Sequence, residues 1–177
     1  GTRDSPVAAP PSLPPLEGFD RPVSFEGEVK PVLENRCVVC HGCYDAPCQL
    51  LLSSPEGMAR GASQQAVYDA SRLLPMSPTR LGIDAKSVAA WRARGFFPVL
   101  GGEDGAGGPE PLLLRMLALG TTHPFPARQR LPDGVSLDID RTLRCADPSQ
   151  FDAYVRDHPL GGMPYGTAPL ADQELRV

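Results

Sequence analysis

The sequence lacks any run of about 18 or more consecutive apolar residues, so nothing in it reads as a membrane-spanning helix. It has no surplus of positive charge: 17 lysines and arginines stand against 21 aspartates and glutamates, giving a net charge of −4 and a pI near 5.3. That balance excludes broad electrostatic binding to nucleic acid or to an anionic lipid surface. Aromatics are scarce at 6%, and no GxGxxG turn is present to cradle a nicotinamide or flavin dinucleotide. There is no internal repeat; no signal peptide is read in the sequence, which opens Gly1-Thr2-Arg3 without methionine, as processed or recombinant proteins do.

Glycine (18) and proline (21) are plentiful, together about 22% of 177 residues. This composition predicts short helices joined by long, proline-stiffened loops. The length suits one domain with insertions.

Among five cysteines, Cys37 and Cys40 stand in Cys37-Val38-Val39-Cys40-His41, the CxxCH pattern of c-type haem attachment. Thiols three positions apart can add to the two vinyl groups of one haem while the adjacent imidazole reaches the iron from the same side. A thioredoxin-like pair would want a βαβ setting, whereas Phe25, Val29, Val32 and Leu33 upstream repeat with helical spacing. A zinc site completed by Cys43 and Cys48, or a disulfide cluster, would use the same residue types. The histidine directly after the second cysteine, followed by Gly42, favours haem. The expectation is one covalently bound haem c, held by Cys37 and Cys40 and ligated by His41. Covalent haem attachment and the cysteine content both point to an oxidising compartment, the periplasm. Cys43, Cys48 and Cys145 then remain, and three thiols cannot all pair within one chain. One disulfide and one thiol are expected, either Cys43–Cys48 or a bridge from Cys145 to one of them.

The haem of an electron carrier commonly takes a methionine sulfur as its second axial ligand. Met163 in Gly161-Gly162-Met163-Pro164 fits, because the glycines allow close backbone approach and the proline stiffens the exit. Met58, Met76 and Met116 read as core, and His123 and His158, each before a proline, as surface histidines.

Residues 1–23 are expected to be a proline-rich extended lead-in, lying on the surface or disordered. A first helix is expected from Ser24, its N-cap, to the haem cysteines, kinked or restarted at Pro31. Cap-then-proline pairs at Ser54-Pro55, Ser77-Pro78 and Asp147-Pro148 predict further helix starts. Asp84 is expected to cap a helix carrying Val88, Ala89 and Trp91 and ending near Gly95. Pro109 to Leu119 predicts an apolar helix stopped by Gly120. The stretches 101–108 and 120–136 read as loops, and 148–157 as a helix with Phe151, Tyr154 and Val155 on one face. His41 and Met163 lie 122 positions apart, more than a compact electron carrier requires. The fold class is therefore mainly α: a cytochrome c-like haem module over 24–177 with a long, loop-rich helical insertion at about 50–145.

The run RCVVCHGCYDAPCQL, followed by LSSPEGMARGAS, VYDASRLL, PTRL, WRARGFFPVL and HPLGGMPYG, resembles the haem-binding N-terminal portion of bacterial fatty acid cis/trans isomerases. The resemblance implies haem-dependent conversion of cis to trans acyl chains in membrane phospholipids, in the periplasm, as a response to membrane stress. It also implies a fragment whose partner is the remaining C-terminal part of the same protein. The terminal APLADQELRV resembles the start of the cytochrome c helix that packs on the first. Isomerisation requires transient removal of π density, which iron can supply once Met163 leaves it. Trp91, Phe96, Phe97 and Leu112 to Leu114 are candidates for an acyl route, though such residues are ordinarily core. The rival readings are a periplasmic electron-transfer cytochrome c and a haem-based sensor module.

Overall fold

The computed structural model describes residues 11, 21–44, 46–69, 72–101, 110–126 and 145–177. Most of the expected lead-in, nearly all of the 101–108 loop and most of the 120–136 loop lie outside the described residues. Helices are the principal regular structure. The pair β1 (Tyr68–Asp69) and β2 (Arg72–Leu73) forms a small antiparallel ladder with Tyr68 opposite Leu73.

Ser24 caps the first helical segment, its hydroxyl accepting from the Gly27 amide at 3.1 Å. A wide turn over Phe25–Val29 gives way to α1, Lys30–Arg36, so the helix begins again at the proline, whose missing amide donor costs nothing in a first turn. Helix α2, Val38–His41, follows across a break at Cys37. Ser54 caps α3, Pro55–Arg60, in the expected way. Asp147 closes a capping box with Gln150 ahead of a short turn (Pro148–Gln150) and α6, Phe151–Asp157.

Three expectations are corrected. Ser77-Pro78 starts no helix: the Pro78 and Thr79 carbonyls accept from Arg94 and Arg60, which holds the segment irregular. Ser87, not Asp84, caps α4 (Val88–Ala93), because the Asp84 carboxylate is taken by the amide and guanidinium of Arg80. Helix α5, Leu112–Thr122, runs through Gly120 instead of stopping there. Gly120 meets the backbone of Gly162 and Met163, and a side chain on either Gly120 or Gly162 would collide with the other strand of the crossing. Its lack of a Cβ serves close approach, not termination.

The main core gathers Leu50, Leu52, Leu112, Met116, Leu119, Phe151 and Tyr154, with Cys37, Met58 and Met163 packed on its margin. Leu119 and Phe151 are fully buried. Trp91 and Phe96 belong to a second cluster, in edge-to-face contact at 5.1 Å. The candidate acyl-route residues Trp91, Phe96 and Leu112 are thus ordinary core. A disulfide joins Cys48 to Cys145, 97 positions apart, and closes the base of the interval read as an insertion. Helix α7, Asp172–Leu175, reaches the first helix through Arg36, which pairs with Glu174 at 2.9 Å and donates to the carbonyls of Ala168 and Pro169. Among the described residues no helix is long and apolar enough to cross a membrane.

Candidate functional site

The Cys37–His41 segment is a single helical turn. The Cys37 carbonyl accepts from the amides of Cys40 at 3.1 Å and His41 at 2.9 Å, which fixes these residues at i, i+3 and i+4. Residues so spaced lie near one side of a helical turn, with Cys37 at its N-cap in a non-helical conformation (φ −128°). Val39, between them, points to solvent and is 85% exposed. Cys37 is half-buried against the core and Cys40 is exposed. Burial pushes the Cys37 thiol above its ordinary pKa, an effect that the neighbouring Arg36 charge opposes.

His41 is the most closely supported member. Its Nδ1 lies 3.2 Å from the Leu50 carbonyl, an atom that can only accept, so Nδ1 carries the proton and Nε2 keeps its lone pair for a metal. Burial lowers the imidazole pKa, and the bond to Leu50 works against that shift. The His41 carbonyl in turn accepts from the Leu52 amide at 2.8 Å. Histidine with one ring nitrogen held by a backbone carbonyl is the usual arrangement of a metal ligand, because the second contact fixes both tautomer and ring plane.

Met163 sits half-buried on the margin of the same core cluster that Cys37 borders. Its amide donates to the Met116 carbonyl at 2.9 Å, and its backbone lies on Gly120. The main chain at Met163 is therefore anchored to α5, and the side chain packs against the core cluster. Beside this loop, Tyr165 packs edge-to-face on Phe125 at 5.3 Å. The Tyr154 hydroxyl donates to the Gly161 carbonyl, and burial, aided by Tyr165, pushes its pKa up to about 12.

Of the other sulfur and imidazole groups, Met116 is buried and Met58 packs on the main core, as a space-filling role requires. Met76 is half-buried. His123 is exposed as expected, whereas His158 is half-buried beside Tyr154. The pairing left open among the cysteines resolves to Cys48–Cys145, with Cys43 an exposed thiol. That pairing removes Cys48 from any zinc site, and among the described residues no group of three or more His, Cys, Asp or Glu side chains converges to hold a metal. A thioether-anchored porphyrin would be held by the Cys37 and Cys40 thiols and the His41 imidazole, residue types that suit it. A cavity of about 230 Å³ lined by Gln65, Ser77, Thr79 and Arg94 is polar, unlike a channel for an acyl chain.

Sequence reasoning missed the residues behind the site. Gln49, Arg60 and Thr79 are each almost wholly buried and joined by hydrogen bonds. Arg60 closes a short helix, where an arginine ordinarily reads as an exposed partner of the helix dipole.

The model of the fatty acid cis/trans isomerase family matches residues 76–177, which is 102 of the 177 residues. The match takes in Met163 and its loop and leaves Cys37 to His41 outside. No curated protein and no solved structure matches the chain.

Proposed function

This chain belongs to the fatty acid cis/trans isomerase family, and on that premise we propose that it is the haem-bearing part of an enzyme that converts cis-unsaturated acyl chains of membrane phospholipids to trans. One haem c would be attached through Cys37 and Cys40 and held at its iron by His41 and Met163, in a cytochrome c-like module working in the periplasm under membrane stress. The observation that carries the haem reading is the His41 Nδ1 contact to the Leu50 carbonyl, which leaves Nε2 as a ready ligand next to two thiols on the same turn.

Rotation about a double bond demands that π density be withdrawn transiently, and haem iron supplies that capacity when bound. The remaining work falls to the chain. Cys37 and Cys40 would hold the ring through their thiols, and His41, its imidazole kept in place by the Leu50 carbonyl, would face the iron. Met163 is carried on a loop whose backbone is anchored at α5, and its thioether would be the chain's second ligand to the iron. The crossing of Gly120 and Gly162 keeps that loop close to the core throughout.

The test is to mature the full-length protein, record a pyridine haemochrome spectrum, and incubate it with vesicles of cis-monounsaturated phospholipid. Gas chromatography of the fatty acid methyl esters should show trans product without added reductant. A haem-loaded preparation that yields none favours an electron-transfer cytochrome instead, and a polypeptide without haem after correct maturation overturns the reading altogether.

A further inference from the structure

Cys48 and Gln49 both hold positive φ, 57° and 52°, in a segment with no glycine to make that conformation easy. Non-glycine residues stay in this region only where their surroundings over-determine them. Here the surroundings are dense. The Cys48 sulfur is tied to Cys145, and its carbonyl accepts from the Ser63 amide at 2.7 Å. The Gln49 side chain donates to the Gln65 carbonyl at 3.2 Å and accepts from the Thr79 hydroxyl at 2.6 Å. The Gln49 carbonyl accepts from Arg60 Nη2, while Nη1 of the same guanidinium donates to the Thr79 carbonyl at 2.7 Å. The next carbonyl along the chain, that of Leu50, is the one that accepts the His41 Nδ1 proton.

Arg60 is the unusual member. It is 2% exposed and lies over Phe96 and Trp91, with ring centroids 4.7 and 5.4 Å from Cζ. No carboxylate pairs with it among the described residues, and its Nε has no hydrogen-bond partner. Burying a guanidinium on carbonyls and rings alone is a poor route to stability, so its position calls for another explanation. What it grips directly is the peptide unit between Gln49 and Leu50.

We propose that Arg60 is a positioning residue for the haem ligand: by holding the Gln49 carbonyl and, through Thr79, the Gln49 side chain, it aims the Leu50 carbonyl at His41 Nδ1. The inference rests on the haem reading above. A carbonyl held in line with Nδ1–H makes the imidazole a stronger electron donor and favours ferric iron. Loosening the strap weakens that bond, raises the midpoint potential and lets the Nδ1 proton exchange with solvent.

The experiment compares haem-loaded wild type with Arg60→Met, Thr79→Val and Ser87→Ala. Arg60→Met should raise the midpoint potential by about 59 mV, a tenfold change in a one-electron equilibrium. Exchange of the hyperfine-shifted His41 Nδ1 proton with deuterium oxide should quicken by roughly tenfold or more. Thr79→Val, which removes one hydroxyl at nearly constant shape, should move both readouts in the same direction by less. Ser87→Ala weakens an exposed cap far from the strap and should move neither. If Arg60→Met does not accumulate as folded protein, Thr79→Val decides. Haem-loaded variants with wild-type potential and exchange overturn the inference alone, whereas wild-type protein without a haemochrome overturns the haem reading and the inference with it.

Discussion

The Tyr154 hydroxyl donates a 2.6 Å hydrogen bond to the Gly161 carbonyl, tying α6 to the loop that carries Met163 two residues later. Burial raises this phenol from its ordinary value of 10 to about 12. Between those values the unfolded chain loses the proton first, so the folded state binds more protons and stability falls as pH rises. Urea denaturation should therefore show about 2–3 kcal/mol lost across that alkaline window, with the full contribution present below it. Tyr154→Phe should abolish that component; an identical alkaline slope in the variant would refute the assignment.

Gly120→Ala adds a methyl group where α5 crosses the Gly162–Met163 backbone. Overpacking of this kind costs about 1–3 kcal/mol, and here the strain falls on the loop of the proposed distal ligand. Thermal denaturation should register the loss. On the haem reading, the sulfur-to-iron band of the ferric protein should weaken as well.

The Cys48–Cys145 disulfide closes a loop of 97 positions. Chain-entropy reasoning assigns a cross-link of that span about 4–5 kcal/mol. The double variant Cys48→Ala, Cys145→Ala should lose stability of that order in urea. Non-reducing peptide mapping of the wild type should recover a fragment joining the two, and recovery of a Cys43–Cys48 fragment instead would contradict the pairing.

Met163→Ala tests ligand release. Because the Met163 backbone is anchored by Met116 and Gly120 independently of the side chain, the loop should survive the substitution. Isomerase activity of the full-length, haem-loaded variant should equal or exceed that of wild type in the vesicle assay. Abolition of activity with haem and folding intact would mean that the thioether acts while bound.

Local chemistry was legible in the sequence wherever one side chain decides one backbone contact. Ser24, Ser54 and Asp147 cap helices as their positions require, and the restart at Pro31 follows from its missing donor. The Leu50 carbonyl that holds His41 Nδ1, nine positions on, was not foreseen from the sequence. Misreadings arose where a distant segment competed for the same group. Asp84 would have capped α4 had Arg80 not claimed it, and Gly120 would have read correctly only with knowledge that Gly162 crosses there. The Arg60 strap draws its members from Gln49, Ser63, Gln65 and Thr79, and no spacing rule links them.

The reach of the Cys48–Cys145 bridge bears on how the protein is made. As the polypeptide emerges, His41 and its two thiols appear long before Cys145 does. On the haem reading, a maturation enzyme acting on the emerging motif would meet it before the bridge is closed. Ring closure waits for Cys145, so on the haem reading the attachment sequence would stay accessible until the bridge ties Cys48, and the backbone next to it, in place.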